Sequence, residues 1–261
     1  MGEARSPFIL TYHSISTARR PLAISPSLFA EQMEWLSQNA QVVPLRVVSD
    51  ALNRLQPLPM RAVVLTFDDG YRDFYTNAAP QLQRYGFPAT VFLPTAYCGQ
   101  TNSWPGKPSW VEEKSLLSWQ QIKELAGRGI DFGSHTVTHR DLTSLTLSDA
   151  EQEIVESKQE VERRTGQAAD FFCYPYGRWN PAARSLVSRH FFAACSTAAG
   201  PVQPDSDRFA LPRVDAHYLR LPFFFRSLFT RRFLGYLALR RTARRLRNQP
   251  EGFYSKSQPQ G

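Results

Sequence analysis

The sequence predicts an α/β domain built around a parallel sheet, on three observations. The chain has 261 residues, which suits one domain with a substantial core and leaves little room for a second. Short runs rich in β-branched and aromatic residues alternate with segments that begin on helix-capping signals, and such alternation is typical of right-handed βαβ units. The run at residues 62–65 is apolar throughout, as expected of a strand covered on both faces. About seven such units favour a closed or nearly closed barrel with its chemistry at the carboxyl ends of the strands, and an open doubly wound sheet is the alternative.

Strands are predicted wherever a short run of β-forming residues lies between turn signals. They span residues 8–12, 41–43, 62–67, 89–93, 130–133, 171–174 and 191–196, with residues 209–214 as a weaker eighth. Helix starts are predicted from capping patterns. These patterns are Ser118 with Gln121, Ser148 with Glu151, and Asn180 with Pro181.

Charge divides the chain into two parts. The formal net charge is +8, but residues 1–219 carry 21 basic and 22 acidic side chains, whereas residues 220–261 carry 10 and 1. The near-neutral body gives no electrostatic reason to expect a nucleic-acid partner. We therefore expect a body at residues 1–219 and a basic, aromatic-rich C-terminal helix and tail at residues 220–261.

The basic tail has two interpretations. Residues 221–247 mix arginines with Phe, Leu and Tyr, which suits an interfacial helix in contact with an anionic membrane. The same composition suits a final helix packed on the barrel with solvated arginines. No apolar run resembles a signal peptide or a membrane span, so we expect a cytoplasmic protein, which under the first interpretation would also contact the inner face of the membrane through the tail.

The first segment that carries chemistry is LTFDDG at residues 65–70, where an apolar strand ends in Asp68 and Asp69. Two adjacent carboxylates repel each other, so a cation is expected beside them. One carboxylate can then bind a metal while the other takes a proton. An ordinary surface turn is the alternative for this segment taken alone.

The second segment is GSHTVTH at residues 133–139, again after a predicted strand. Two imidazoles with a carboxylate form a common catalytic zinc site that leaves one position for water. The β-branched residues between His135 and His139 favour a turn rather than a helix. The third segment is YPYG at residues 174–177, a proline-containing turn that can present the backbone N–H of Tyr176 to a substrate.

Together these segments resemble the polysaccharide deacetylase family, also called carbohydrate esterase family 4 or the NodB homology domain. The resemblance covers residues 8–215 and rests on TFDDG at 66–70, SHTVTH at 134–139 with Leu142 after it, and YPYG at 174–177, in the family's order. It implies a distorted (β/α)7 barrel that removes an N-acetyl group, or less often an O-acetyl group, from a sugar.

The resemblance also implies roles for individual residues. Asp69, His135 and His139 correspond to the ligands of one divalent metal ion, Zn²⁺ first and Co²⁺ or Ni²⁺ as alternatives. Asp68 corresponds to the general base. Tyr176, in the turn that Pro175 begins, corresponds to the oxyanion donor.

The chain departs from the family pattern at two points. Many members have an arginine where this chain has Cys173, and Arg213 is the expected substitute because residues 211–214 resemble a segment of members that also lack the earlier arginine. The late histidine that usually serves as general acid is absent. His13 is the expected acid, since residues 10–14 resemble the first strand of a subgroup with a rearranged strand order, and His217 is the alternative.

Three functions are compatible with these residues and motifs. The leading one is a metal-dependent carbohydrate deacetylase that acts on an N-acetylated sugar or glycan. A second enzymatic function, suggested by the tail, is a deformylase or deacetylase of a lipid-linked monosaccharide. The non-enzymatic alternative is a catalytically silent carbohydrate-binding module, although the complete set of acidic and histidine residues argues against it.

Overall fold

The computed structural model describes residues 6–17 and 22–247, with side chains up to residue 240. The strands in this part of the chain are β1 (Phe8–Tyr12), β2 (Ser14–Ile15), β3 (Ala23–Ile24), β4 (Gln41–Val42), β5 (Ala62–Phe67), β6 (Ala89–Leu93), β7 (Ile130–Ser134), β8 (Phe171–Cys173), β9 (Ala193–Cys195) and β10 (Val214–Asp215). The α-helices are α1 (Pro26–Asn39), α2 (Leu45–Asn53), α3 (Ala79–Tyr85), α4 (Trp119–Leu125), α5 (Leu147–Thr165), α6 (Pro181–His190), α7 (Pro222–Arg226) and α8 (Arg231–Arg247).

The main sheet is curved, and its strands are parallel in the order β10-β1-β5-β6-β7-β8-β9. Strand β4 pairs with the start of β5. The segment before β10 connects its two ends. Leu211 exchanges backbone hydrogen bonds with Ala194 and Ser196 beside β9, while β10 pairs with β1. Residues 211–215 therefore nearly close the barrel. The predicted distorted (β/α)7 architecture is confirmed, and the alternative of an open doubly wound sheet is not.

The strands are apolar throughout because both of their faces are covered. Every residue of β1, β5 and β6 is buried. One apolar cluster fills the space between these strands and helices that include α1, α3 and α4, and a second lies between β8 and the helices α5 and α6. This rigid body holds the carboxyl ends of the strands in fixed positions.

Most predicted element boundaries are confirmed, and three need correction. The strand predicted at residues 191–196 is confined to β9, because Phe191 is the C-cap of α6. The strand predicted at 209–214 is reduced to β10. The capping box at Ser118 is present, but Ser148 is not an N-cap, because the hydroxyl of Thr146 accepts from the Asp149 N–H and α5 begins two residues earlier.

Helices α7 and α8 pack against the barrel. Buried side chains of these helices and of the turn between them join the main core cluster; they are Phe225, Leu228, Phe229, Phe233 and Leu237. Phe8 at the start of β1 makes edge-to-face contacts with Phe229 and Phe233, with ring centroids 5.8 and 5.7 Å apart. The packed-helix interpretation is therefore confirmed for the inner face of this segment. None of the helices in the described ranges combines the length and the apolar character that crossing a bilayer requires.

Candidate active site

The predicted chemical groups meet at the carboxyl end of the barrel. Asp68 and Asp69 follow β5, His135 and His139 follow β7, and these strands are separated in the sheet by β6 alone. Backbone hydrogen bonds extend the ladder into the site, since the Asp68 N–H donates to the Tyr12 carbonyl and the His135 N–H donates to the Leu93 carbonyl. The parallel sheet thus brings together residues that lie far apart in the sequence.

Asp69, His135 and His139 form a buried triad with the geometry of a metal site. Nε2 of His139 lies 3.2 Å from Oδ1 of Asp69, and Nε2 of His135 lies 3.5 Å from the same oxygen. Ligand atoms bound tetrahedrally to zinc at about 2.0–2.2 Å lie roughly 3.3–3.5 Å from one another. The spacing and the donor set therefore fit a divalent ion held by these three residues.

A hydrogen bond sets the tautomer of His135. Its Nδ1 lies 2.7 Å from the backbone carbonyl of Cys173, which can only accept, so Nδ1 carries the proton. The other ring nitrogen, Nε2, faces Asp69, and in the neutral imidazole it offers its lone pair on that side, which is the arrangement that a metal-binding imidazole needs.

Asp68 is held by Arg213 rather than by the triad. The guanidinium donates to both carboxylate oxygens, at 2.8 Å to Oδ1 and 2.7 Å to Oδ2, and both side chains are buried. Burial alone would raise the pKa of Asp68, but the charge and hydrogen bonds of Arg213 outweigh burial and hold that pKa below its ordinary value. Asp68 is therefore an ionised acceptor beside the triad.

Arg213 approaches Asp68 past Cys173. Its Nη2 lies 3.1 Å from the sulfur of Cys173, and its Nε donates to the carbonyl of Ser196 at 2.9 Å. The arginine expected at position 173 is thus replaced in space by one that precedes β10, and the small thiol leaves room for it.

His13 follows β1 and lies beside Asp68. Its Nε2 is 3.9 Å from Oδ2 of Asp68, and its side chain is 17% exposed, so it is partly accessible to solvent. His217 lies in a short helical turn after β10, where its backbone N–H donates to Asp215 and its ring packs edge-on against Tyr218. His190 lies at the end of α6, beside Glu151 on the outer layer.

Backbone strain is concentrated in the three motifs. Four non-glycine residues of these motifs have left-handed backbone angles, with φ between 58° and 69°; they are Asp69, Thr136, His139 and Tyr176. Such conformations cost on the order of 1–3 kcal/mol each and cluster at functional sites. The fold therefore stabilises unfavourable local geometry at the point where the ligands converge.

The turn at residues 175–177 forms one wall of the site. Tyr176, which Pro175 precedes, places its ring edge-on to His139, with centroids 4.8 Å apart. A Cβ at Gly177 would lie 2.1 Å from the Thr197 hydroxyl, so only glycine fits there. The turn is thereby fixed beside the triad.

Two residues of the site, Trp104 and Glu153, were not predicted from the sequence. Trp104 stacks on His139 with ring centroids 4.2 Å apart and is buried. Glu153 of α5 accepts from the backbone N–H groups of Val137 and Thr138, at 2.8 Å each, and also from the Thr138 hydroxyl. Glu153 lies on the buried face of α5, among mostly apolar residues. An acidic side chain is rarely buried unless it has a hydrogen-bonding or charged partner, and this is the signal that could identify it.

Comparison with known proteins places this site in a family. The family model for polysaccharide deacetylase matches residues 56–194, which is 139 of the 261 residues. A protein of Bacillus subtilis (strain 168), named YxkH and described as a polysaccharide deacetylase, is 32% identical over 79% of this chain and 70% of its own length. The poly-β-1,6-N-acetyl-D-glucosamine N-deacetylase of Escherichia coli (strain K12) is 33% identical over 49% of this chain, and the match spans 20% of that longer protein.

A solved structure agrees with these sequence matches. The Streptococcus pyogenes deacetylase PplD in complex with acetate superposes with a TM-score of 0.71 at 26% identity, covering 80% of this chain and 92% of that one. The family match, the sequence relative and the shared barrel agree, and this chain belongs to the polysaccharide deacetylase family as a carbohydrate deacetylase of the NodB type.

Proposed function

We propose that this chain is a metal-dependent N-deacetylase that hydrolyses the acetamide of an N-acetylated glycan. The observation that carries the proposal is the triad of Asp69, His135 and His139 beside the separately held carboxylate of Asp68. The name of the Escherichia coli relative supports an N-acetylated glucosamine polymer as the substrate class. A silent binding module would have no need for a strained and buried ligand set.

Asp69, His135 and His139 would hold a divalent ion, which would supply Lewis-acid polarisation of the acetyl carbonyl and acidification of a water molecule. Asp68 accepts the proton of the attacking water, because Arg213 keeps its carboxylate ionised and oriented. The water oxygen adds to the carbonyl carbon, and the oxyanion that forms accepts from the Tyr176 N–H.

The remaining proton transfer concerns the leaving nitrogen. His13 donates a proton to this nitrogen as the carbon–nitrogen bond breaks, so the products are an amino sugar and acetate. Its position 3.9 Å from Asp68 places the acid and the base within reach of one acetamide. Trp104 and Tyr176 pack on either the face or the edge of the His139 ring and hold it in place.

A substrate panel tests this function. The chelated and the metal-reloaded protein are incubated with N-acetylglucosamine oligomers, an N-acetylated and an N-formylated lipid-linked monosaccharide, and an O-acetylated xylan, and released acetate and formate are measured. We expect acetate from the oligomers only after metal is restored. Formate release would favour the deformylase, acetate from xylan alone would make the enzyme an esterase, and no product from any substrate would contradict the proposal.

A further inference from the structure

The outer face of α7 and α8 has a composition that packing on the barrel does not explain. Residues 216–247 contain nine arginines and no aspartate or glutamate. The inner face of these helices is buried in the core through residues such as Phe225 and Phe233. The segment thus carries basic charge that none of its own residues balances.

Large apolar side chains lie exposed among these arginines. Leu221, Phe223 and Leu239 are 62%, 68% and 70% exposed. Leu239 is seven residues after Arg232, so the two share one face of α8, about 100–120° around the helix from the buried Phe233. On α7, Phe223 lies on the side opposite Phe225, since two residues correspond to about 200°.

Contacts between the two helices make this one surface. Phe224 of α7 stacks on Tyr236 of α8, with ring centroids 4.6 Å apart. Arg240 donates to the Tyr236 hydroxyl and lies 3.9 Å above the ring of Tyr218. We call the exposed side chains Leu221, Phe223, Arg226, Arg231, Arg232 and Leu239 the outer surface of α7 and α8.

Helix α5 provides a comparison within the same molecule. Its basic residues pair with acidic residues on the same helix, as Arg163 and Arg164 do with Glu160. By contrast, Arg226, Arg231 and Arg232 are exposed and pair with no carboxylate in the part of the chain that the structure describes. Their charge is therefore available to an external anionic partner.

We propose that the outer surface of α7 and α8 docks on an anionic lipid bilayer. Arginines at the level of the head groups gain from the negative surface potential, and exposed Phe and Leu side chains gain by entering the boundary below. A second copy of the chain is a poor partner, since a two-fold contact would bring the same unpaired arginines together. This inference is independent of the proposed reaction.

Vesicle sedimentation tests the proposal. The full chain is mixed with vesicles of phosphatidylglycerol and phosphatidylethanolamine, or of phosphatidylcholine alone, at low and high salt. We expect binding to the anionic vesicles only, and weaker binding at high salt. The triple variant R226Q/R231Q/R232Q should bind about a hundredfold more weakly, since each arginine near the surface contributes roughly a fivefold factor.

A second triple variant, L221S/F223S/L239S, should lose the part of the binding that salt does not remove. The matched controls are L147S, which changes a leucine that is 63% exposed at the start of α5, and R163Q/R164Q. These controls should bind vesicles like the unchanged protein, and circular dichroism should show all variants folded. Equal binding to neutral vesicles, no binding to anionic ones, or unchanged binding of both triple variants would overturn the proposal. Salt-sensitive binding to DNA without vesicle binding, or a dimer lost in the apolar variant, would also overturn it.

Discussion

At the scale of single residues, the site separates two adjacent carboxylates by giving them different partners. Asp69 faces two imidazole nitrogens, whereas Asp68 faces a bidentate guanidinium. A buried charge is stable only with a partner of opposite charge and satisfied hydrogen bonds. Neighbours in the sequence thereby take different roles, with Asp69 available to a metal and Asp68 to a proton.

The role of His13 as general acid is tested by comparison with His217. Replacing His13 with Ala should lower kcat by about 10²- to 10⁴-fold, because the leaving nitrogen loses its proton donor. Metal content should stay unchanged, since His13 is outside the triad. Steady-state kinetics on an N-acetylglucosamine oligomer checks this, and His217→Ala should change kcat little. The reverse result would assign the acid to the late histidine.

Arg213 should orient Asp68 and not merely neutralise it. Lysine keeps the charge but cannot form two parallel hydrogen bonds. We therefore expect Arg213→Lys to lower kcat by about 10- to 100-fold, as for residues that orient a catalytic group, with KM little changed. Arg184→Lys is the matched control, because Arg184 also binds a carboxylate, Asp207, through two nitrogens. Equal losses in the two variants would indicate a role in stability alone.

At the scale of elements, the ends of the strands position most of the active-site residues, and helix α5 positions the loop that carries His139. The loop after β7 carries two left-handed residues, Thr136 and His139, and is held from outside by Glu153 of α5. A carboxylate that accepts from two backbone N–H groups fixes the path of the loop. Helix α5 therefore determines where His139 lies.

Replacing Glu153 with Gln should weaken metal binding, because the amide offers only one acceptor oxygen to the loop. An affinity loss of about 10- to 100-fold is expected, the size found for outer partners of metal ligands. Competition with a chelator measures this without reference to turnover. Glu156→Gln, which changes an exposed residue of the same helix, should leave the metal affinity unchanged. Equal metal affinities in the two variants would show that Glu153 does not position the metal ligands.

The elements also show what a sequence can and cannot predict. The motif at residues 66–70 is predictable because an apolar run directly precedes two carboxylates, which is a local signal. The role of Glu153 is not predictable in this way, because its partners lie fifteen and sixteen residues earlier, on a loop whose distance from α5 only the fold determines. The cap at Thr146 is easily misplaced because Ser148 offers the same local chemistry two residues later. Local patterns thus predict the motifs, and tertiary contacts determine their supports.

At the scale of the whole molecule, the barrel and the C-terminal helices form one core. Residues of α7 and α8 pack on β1 and α1, as the contact between Trp35 and Phe225 at 5.4 Å illustrates. The active-site residues lie instead at the carboxyl ends of the strands. The C-terminal segment therefore supports the barrel from its side and adds an outer surface of its own.

Truncation after Arg220 should unfold or strongly destabilise the protein. It removes five buried apolar side chains, each worth about 1.5–3 kcal/mol, which together approach the roughly 5–15 kcal/mol of a typical domain. Thermal unfolding followed by circular dichroism checks this against the full chain. A truncated protein with an unchanged Tm would mean that the inner face of α7 and α8 contributes little to stability.

The proposed reaction divides the roles of the site, since one triad holds the metal while the neighbouring Asp68 performs the proton transfer. Metal content and acetate release can be measured together in Asp68→Asn and His139→Ala, with an N-acetylglucosamine oligomer as substrate. We predict that Asp68→Asn keeps about one divalent ion per chain and loses turnover, whereas His139→Ala loses both. An Asp68→Asn protein that still releases acetate at the unchanged rate, or a His139→Ala protein that still holds the ion, would contradict this division of roles.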